Sequence, residues 1–113
     1  MIYVASPYSS PDLSLMELRY EAARAYTFLH IAKGFAIYSP ITMCHHMTGL
    51  KDEATGDFGF WMAHDLNMVS WSVAVHVLKL TGWKESVGVG AEIAHAEKLG
   101  IPVLYVDWTV MHG

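Results

Sequence analysis

The chain has 113 residues, of which 53% are apolar and 16% charged, and its formal net charge is -4. This length indicates one domain, and the apolar excess predicts that part of the surface is covered in a homodimer or larger homo-oligomer. The seven Lys and Arg residues are scattered, which argues against a nucleic-acid polymer as partner and leaves a small anionic molecule as a ligand.

Cysteine content and hydropathy bear on the compartment. Cys44 is the only cysteine, so no internal disulfide can form and we expect a reducing environment. We see neither a secretory signal pattern nor an apolar run long enough to span a membrane. The expectation is a cytoplasmic, soluble protein without a membrane partner.

The first predicted strand covers residues 1–5, an apolar run that suits a buried strand of a parallel sheet. Residues 6–12 are rich in proline and hydroxyl groups and predict the loop to the first helix. Ser6, Tyr8 and Ser9 in this loop are candidates for binding a phosphate. The alternative is a proline-stiffened turn whose hydroxyls bond the local backbone.

Apolar residues at three- and four-residue spacing predict a helix over residues 12–33, ended by Gly34. Arg19 and Arg24 lie on or near its polar face. Solvation, or pairing with a neighbouring glutamate, is the expected state of both, although either could reach an anion.

Residues 35–39 predict the second strand, and the polar segment after it begins at the carboxyl edge of the sheet, where α/β ligand sites form. Ser39 and His45 are therefore candidates for a ligand pocket. Cys44, His45 and His46 do not predict a metal site, because adjacent histidines point apart on regular backbone and no second ligand pair has zinc-type spacing.

Residues 48–57 lack an apolar period and predict a mobile loop or lid. Helical spacing returns over residues 58–71, where Trp61 is a candidate for the pocket and Asp65 lies near the side expected to face the sheet. Because burying a lone carboxylate is costly, Asp65 is paired, caps another group, or is functional.

Residues 73–80 predict the third strand, which leads into a glycine-rich turn. Ser86 is a natural N-cap for a helix predicted from about residue 89 to residue 99, and Gly88 and Gly90 allow a bulky ligand to approach the backbone. Such a turn offers unpaired N–H groups to an anion. The last strand is predicted over residues 101–106.

Glu92, early in this helix, distinguishes the turn from a simple phosphate cradle, because a carboxylate there would repel the phosphates of a dinucleotide. A ligand with a phosphate at one end and a sugar at the other removes this conflict. Its phosphate rests on Ser86 and the turn amides, and its sugar brings the anomeric carbon to Glu92, which is glycosidase chemistry. The alternative is an ordinary first-turn glutamate favoured by the helix dipole.

The predicted order of elements, strand-helix-strand-loop-helix-strand-helix-strand, favours a three-layer α/β fold. We expect a single domain with a doubly wound parallel sheet of four to five strands, of the flavodoxin or Rossmann-like kind. The candidate loops all follow strands, so they meet at one carboxyl edge. This convergence favours a functional Glu92.

On these residues the chain resembles the nucleoside 2-deoxyribosyltransferase-like superfamily, including its branch of 2′-deoxynucleoside 5′-monophosphate N-hydrolases. Segment 86–93, with the pattern Ser-x-Gly-x-Gly-x-Glu-Ile, is similar to the turn carrying that superfamily's catalytic glutamate. Ile-Tyr-Val-Ala at 2–5 resembles its opening strand, and His-Asp-Leu at 64–66 its helix with a second carboxylate. The resemblance implies that Tyr3 hydrogen-bonds the nucleophile Glu92.

The resemblance also implies a reaction. The transferases carry a further aspartate just before the turn, where residues 79–82 hold no acid, so hydrolysis is expected rather than base exchange. Glu92 would form a glycosyl ester that water opens, and Asp65 would assist base departure or position the sugar hydroxyl. No cofactor is needed. The alternatives are a deoxyribosyltransferase, a nucleotide-binding module without turnover, and a structural protein.

Overall fold

The computed structural model describes residues 1–44 and 58–108. The elements follow in the order β1 (Ile2–Ala5), α1 (Leu13–Ala32), β2 (Ile37–Tyr38), α2 (Pro40–Cys44), α3 (Phe58–Ser70), β3 (Ala74–Leu78), α4 (Val87–Lys98) and β4 (Val103–Val106). A 3₁₀ turn, Trp83–Glu85, lies between β3 and α4. The loop or lid predicted over residues 48–57 lies outside the described residues.

The sheet of the described residues has four strands, all parallel, in the order β2-β1-β3-β4. The chain moves outward from β1 to β2 and then returns across β1 to β3. The direction of winding therefore reverses between β1 and β3, and ligand sites of such folds lie at the carboxyl ends of these two strands. The predicted doubly wound fold is confirmed.

The two faces of the sheet carry separate hydrophobic clusters, because successive side chains of a strand point to opposite sides. Tyr3, Val75 and Val77 pack on one side with residues from α3 and α4. Val4 and Leu78 pack on the other side with Ala22, Ala23 and Tyr26 of α1. The result is three layers, with α1 on one face and α3 and α4 on the other.

The ends of α1 agree with the prediction. The Asp12 carboxylate caps the helix by accepting the N–H groups of Ser14 and Leu15 at 2.9 and 3.3 Å. Gly34 follows the helix at φ 91°, a backbone conformation that favours glycine.

The second strand is shorter than predicted, with two residues instead of the five over 35–39. Its end is set by Pro40, whose fixed φ and missing N–H suit the first position of a helix. The Ser39 hydroxyl accepts the N–H of Thr42 at 3.3 Å and so supports the start of α2. The segment predicted as an open loop after β2 is therefore helical from Pro40 to Cys44.

The start of α4 also differs from the prediction, because the helix begins at Val87 and not near residue 89. Ser86 is the N-cap, as predicted, and its hydroxyl accepts the N–H of Val89 at 3.2 Å. Gly88 and Gly90 therefore lie inside the first turn of the helix and not in the turn before it.

Within the two described ranges, no helix combines the length and the apolar character needed to cross a membrane.

Candidate active site

A cavity of about 550 Å³ lies at the carboxyl ends of β1 and β3. Its walls come from the loop after β1, from α1, from the start of α2, from α3, and from the segment between Gly82 and Glu92. These segments are distant in sequence, and the reversal of winding between β1 and β3 brings them together. The cavity is at the place that the strand order predicts for a ligand.

Most of the predicted site residues line this cavity, namely Ser6, Tyr8, Ser9, Trp61, Asp65, Ser86, Gly88 and Glu92. Tyr3 is fully buried next to it and reaches Glu92 by a hydrogen bond. Ser39 is buried and caps α2, outside the lining. His45 lies outside the described residues. The structure thus brings together the groups from the first loop, from α3 and from α4.

Gly90 does not line the cavity, contrary to the expectation that both helix glycines approach a ligand. Residues four apart share one face of a helix, so Gly88 and Glu92 both face the cavity. Gly90 lies halfway between them in sequence and therefore points away, where it is exposed and a Cβ would meet no atom within 4 Å. The earlier start of α4 is the cause of this difference.

The Tyr3 hydroxyl donates a buried hydrogen bond to Oε2 of Glu92. Burial and the nearby charge of Glu92 raise the pKa of Tyr3 far above its ordinary value, so the phenol keeps its proton and acts as a fixed donor. The bond engages one of the two carboxylate oxygens, while the Glu92 side chain still lines the cavity. This contact between β1 and α4 fixes the position of the carboxylate.

Both carboxyl groups of the cavity have altered acidity. Burial raises the pKa of Glu92 to about 8; the bond from Tyr3 opposes this increase, and the negative charge of Asp65 adds to it. Burial likewise raises the pKa of Asp65 to about 6, against the lowering influence of His64. Two carboxyl groups that titrate apart near neutral pH can divide the roles of proton donor and nucleophile.

The start of α4 adds hydrogen-bond donors to the lining of the cavity. The first backbone bond within α4 runs from the Gly90 N–H to the Ser86 carbonyl, and the Ser86 hydroxyl takes the N–H of Val89. The N–H groups of Val87 and Gly88 precede these bonds, and both residues line the cavity. The start of α4 therefore presents amides and the positive end of a helix dipole to a ligand.

Arg19 is a residue of the cavity that the sequence analysis assigned to solvent or to an ion pair. That prediction is confirmed for Arg24, which pairs with Glu21 at 2.9 Å, and wrong for Arg19, which is only 7% exposed. Arg19 lies four residues after Leu15 and three before Ala22, on the stripe that faces the sheet. This spacing was the signal in the sequence that could have placed it inside.

Arg19 joins two loops that flank the cavity. Its Nη1 donates to the carbonyls of Tyr8 and Ser9 at 3.3 and 3.0 Å, and its Nη2 donates to the carbonyl of Thr81 at 2.7 Å. Gly82 packs against the same guanidinium. The arginine thus holds the loop after β1 to the turn after β3.

Three buried side-chain atoms have no hydrogen-bond partner among the residues described: Ser6 Oγ, Arg19 Nε and Asp65 Oδ1. Buried polar atoms are nearly always satisfied in folded proteins. All three residues line the cavity, and this coincidence indicates that the cavity is a site built to receive a polar ligand. Within the described ranges, no three His, Cys, Asp or Glu side chains gather as metal ligands.

Comparison with known protein families assigns the chain to one of them. Residues 1–108 match the family described as Domain of unknown function (DUF1937). The chain belongs to this family. The match includes every residue that lines the cavity. No curated protein matches the chain.

The contact between Gly82 and Arg19 predicts a difference between two glycine substitutions. Gly82 has φ 87°, and a Cβ there would lie 2.5 Å from Arg19 Nη2, whereas Gly34 has φ 91° and a Cβ would meet nothing within 4 Å. Both alanine variants bear the strain of a positive φ, about 1 kcal/mol. Gly82→Ala should lose about 1–2 kcal/mol more unfolding free energy in denaturant, because the guanidinium must leave a buried bond. If the two variants lose equal unfolding free energy, the Arg19 guanidinium can shift away from position 82 without losing its hydrogen bonds.

The burial of Glu92 predicts how stability depends on pH. Between its ordinary pKa of 4.5 and about 8, Glu92 is protonated in the folded chain and ionised in the unfolded chain. The folded state then binds the extra proton, so its stability falls as pH rises, by at most about 1.4 kcal/mol per pH unit. Glu92→Gln should remove this contribution.

Thermal unfolding from pH 4.5 to 8 measures the effect. We expect the melting temperature of Glu92→Gln, relative to that of the parent, to increase as pH rises. Glu97→Gln, at an exposed position of the same helix, should show the same pH dependence as the parent. A constant difference between Glu92→Gln and the parent would contradict the raised pKa.

Proposed function

We propose that this protein hydrolyses the N-glycosidic bond of 2′-deoxynucleoside 5′-monophosphates and releases the free base and 2-deoxyribose 5-phosphate. The observation that carries the proposal is the buried Glu92 carboxylate, fixed by Tyr3 and lining a cavity that is also lined by hydrogen-bond donors for an anion. A phosphorylated sugar matches both features of such a cavity. The resemblance to the deoxyribosyltransferase-like superfamily supports the same assignment.

Glu92 is the proposed nucleophile. One of its oxygens attacks the anomeric carbon, the bond from that carbon to the base nitrogen breaks, and the electron pair leaves with the base. Tyr3 keeps the carboxylate in position for this attack. The missing 2′-hydroxyl of a deoxyribose eases the reaction, because that hydroxyl would withdraw electron density and destabilise the positive charge that develops at the anomeric carbon.

Asp65 is the proposed proton donor to the departing base. Its carboxyl lines the same cavity as Glu92, and burial raises its pKa to about 6, so a fraction of the molecules carry the proton on Asp65 near neutral pH and can donate it. In the second half of the reaction, the ionised Asp65 takes a proton from water. The water oxygen then bonds the anomeric carbon, the ester to Glu92 breaks, and the configuration of the sugar is retained.

The compartment and assembly are part of the same proposal. We place the reaction in the cytoplasm, as the single cysteine suggests. We also propose that the protein acts as a homodimer or larger homo-oligomer, since large apolar side chains such as Phe28, Trp71 and Leu104 are exposed. No cofactor, nucleic-acid polymer or membrane takes part in the proposed reaction.

Incubation with each common deoxynucleoside and ribonucleoside 5′-monophosphate, followed by chromatography of the free base, tests the proposal. We expect release from deoxynucleoside monophosphates only. Glu92→Gln should abolish release, and Tyr3→Phe, which keeps the ring but removes the donor, should lower kcat by about 10- to 100-fold. Glu97→Gln on the exposed side of α4 should behave as the parent.

Two outcomes would redirect the assignment. If base is released only when a second free base is present, and appears in a new nucleotide, the protein is a deoxyribosyltransferase. If no base is released from any monophosphate under either condition, hydrolysis and transfer of these nucleotides are both wrong.

The pKa values of the two carboxyl groups predict the pH dependence of kcat/KM. Below about pH 6 both groups are protonated and the nucleophile is lost; above about pH 8 both are ionised and the proton donor is lost. The pair carries one proton between these limits, mostly on Glu92. The reactive form, with that proton on Asp65 and Glu92 ionised, is a constant minor fraction of this one-proton state, so kcat/KM should follow a bell with its maximum near neutral pH. Initial rates at low substrate concentration from pH 5 to 9 measure this profile.

Asp65→Asn is the matched variant for the pH profile. It removes the proton donor, so kcat/KM should rise with pH and then stay level instead of falling. The rise then reports the ionisation of Glu92 alone, and its midpoint should lie somewhat below pH 8, because the charge of Asp65 no longer raises the pKa of Glu92. A parent profile without an alkaline fall would show that Asp65 positions the sugar hydroxyl and donates no proton.

A further inference from the structure

We infer that Arg19 selects the phosphorylated form of the ligand, and that it binds the phosphate together with Ser6. This inference rests on the proposed function for the identity of the phosphorylated sugar. The phosphate site proposed from the sequence used the first loop and the start of α4, and Arg19 was expected to be solvated or paired, with contact to an anion only as an alternative.

The first argument is the charge of Arg19. A guanidinium is positively charged, and burying a charge without a counter-charge is strongly unfavourable. Arg19 is 7% exposed, and it makes no ion pair with any carboxylate that the structure describes. Its bonds go to three neutral carbonyls. A negatively charged ligand in the adjoining cavity would supply the missing counter-charge.

The second argument is the set of donors that remain. The guanidinium has five N–H groups, of which three bond the carbonyls of Tyr8, Ser9 and Thr81. Nε–H and one N–H of Nη2 are left, and the Nε atom is buried without a partner. These two N–H groups can bind a pair of phosphate oxygens in the planar arrangement that arginine favours.

Ser6 provides the third argument. It is 8% exposed, its Oγ also has no partner among the described residues, and it lines the same cavity as Arg19. Ser6 and Arg19 come from the loop after β1 and from α1, so two elements contribute a buried, unpartnered donor to one cavity. A phosphate satisfies both donors at once.

The carboxylate of Glu85 also lines the cavity, but it belongs to an exposed residue. Water and salt screen an exposed charge far more than a buried one. Glu85 is exposed and Arg19 is buried, so the charge of Arg19 is screened less and dominates the recognition of an anion. The Coulomb attraction is also long in range compared with the hydrogen bonds of Ser86 and the helix amides.

A purely structural role is the competing explanation, because Arg19 also holds the two loops together. The two roles differ in one measurable respect. A structural clamp affects the binding of a sugar with and without phosphate equally, whereas an anion site changes only the binding of the phosphorylated form. The preference for phosphate, measured as a ratio of affinities, therefore decides between them.

Titration calorimetry with 2-deoxyribose 5-phosphate, 2-deoxyribose and inorganic phosphate measures this ratio without any turnover. We expect the parent protein to bind 2-deoxyribose 5-phosphate at least about 100-fold more tightly than 2-deoxyribose. Arg19→Gln should reduce that ratio by at least about tenfold. Arg24→Gln, which removes an exposed arginine of the same helix, should leave the ratio unchanged.

Two further variants keep the test decisive if Arg19→Gln does not fold. Arg19→Lys keeps the positive charge but removes Nε–H and the planar pair of donors, so the ratio should again fall by about tenfold. Gly82→Ala keeps the arginine but displaces its guanidinium, so the ratio of affinities should fall in this variant as well. In the hydrolysis assay, these variants should raise KM for the monophosphate far more than they lower kcat.

The outcomes separate this inference from the proposed function. If the parent prefers the phosphorylated sugar and the Arg19 variants lose that preference, the inference holds even when no nucleotide is hydrolysed. If the parent has no preference, or if folded Arg19 and Gly82 variants keep the full preference, the inference is overturned, whether or not the protein hydrolyses deoxynucleotides.

Discussion

The hydrogen bond between Tyr3 and Glu92 is the contact on which the arrangement of this protein depends. It joins the first strand to the last helix across 89 residues of sequence and lies inside the hydrophobic cluster between the sheet and α4. A glutamate among apolar side chains is unfavourable unless its oxygens are bonded. The tyrosine makes this position of Glu92 tolerable, and the carboxylate can then line the cavity with restricted freedom.

The lining of the cavity combines two kinds of chemistry. Glu92 and Asp65 supply two carboxyl groups from α3 and α4, whereas Arg19, Ser6 and the start of α4 supply hydrogen-bond donors. This combination favours a ligand that carries an anionic group and becomes cationic at its reacting atom. It is the physical reason for proposing a sugar phosphate that loses a base.

The same features carry a cost in stability. Ser6 Oγ, Arg19 Nε and Asp65 Oδ1 are buried without partners among the described residues, and Glu92 is held at a raised pKa. A protein selected for stability alone would replace such groups by apolar ones. Their collection around one cavity, with well-packed clusters on both faces of the sheet, is the pattern of a functional site on a stable scaffold.

The sequence by itself determined the order of strands and helices, the cap at Ser86 and the meeting of the loops at one edge, because periodicity, caps and strand direction are local or follow from topology. Glu92 was singled out from its place beside the glycine-rich turn, whereas the roles of Asp65 and Tyr3 came through a resemblance, with which the bond between Tyr3 and Glu92 agrees. Only the tertiary structure decided that Gly90 faces solvent and that Arg19 is buried against Thr81. The first depends on where α4 begins, to within two residues. For Arg19 the helical spacing indicates the side that faces the sheet, but its bond to Thr81 joins residues 62 positions apart, and no local pattern specifies that contact.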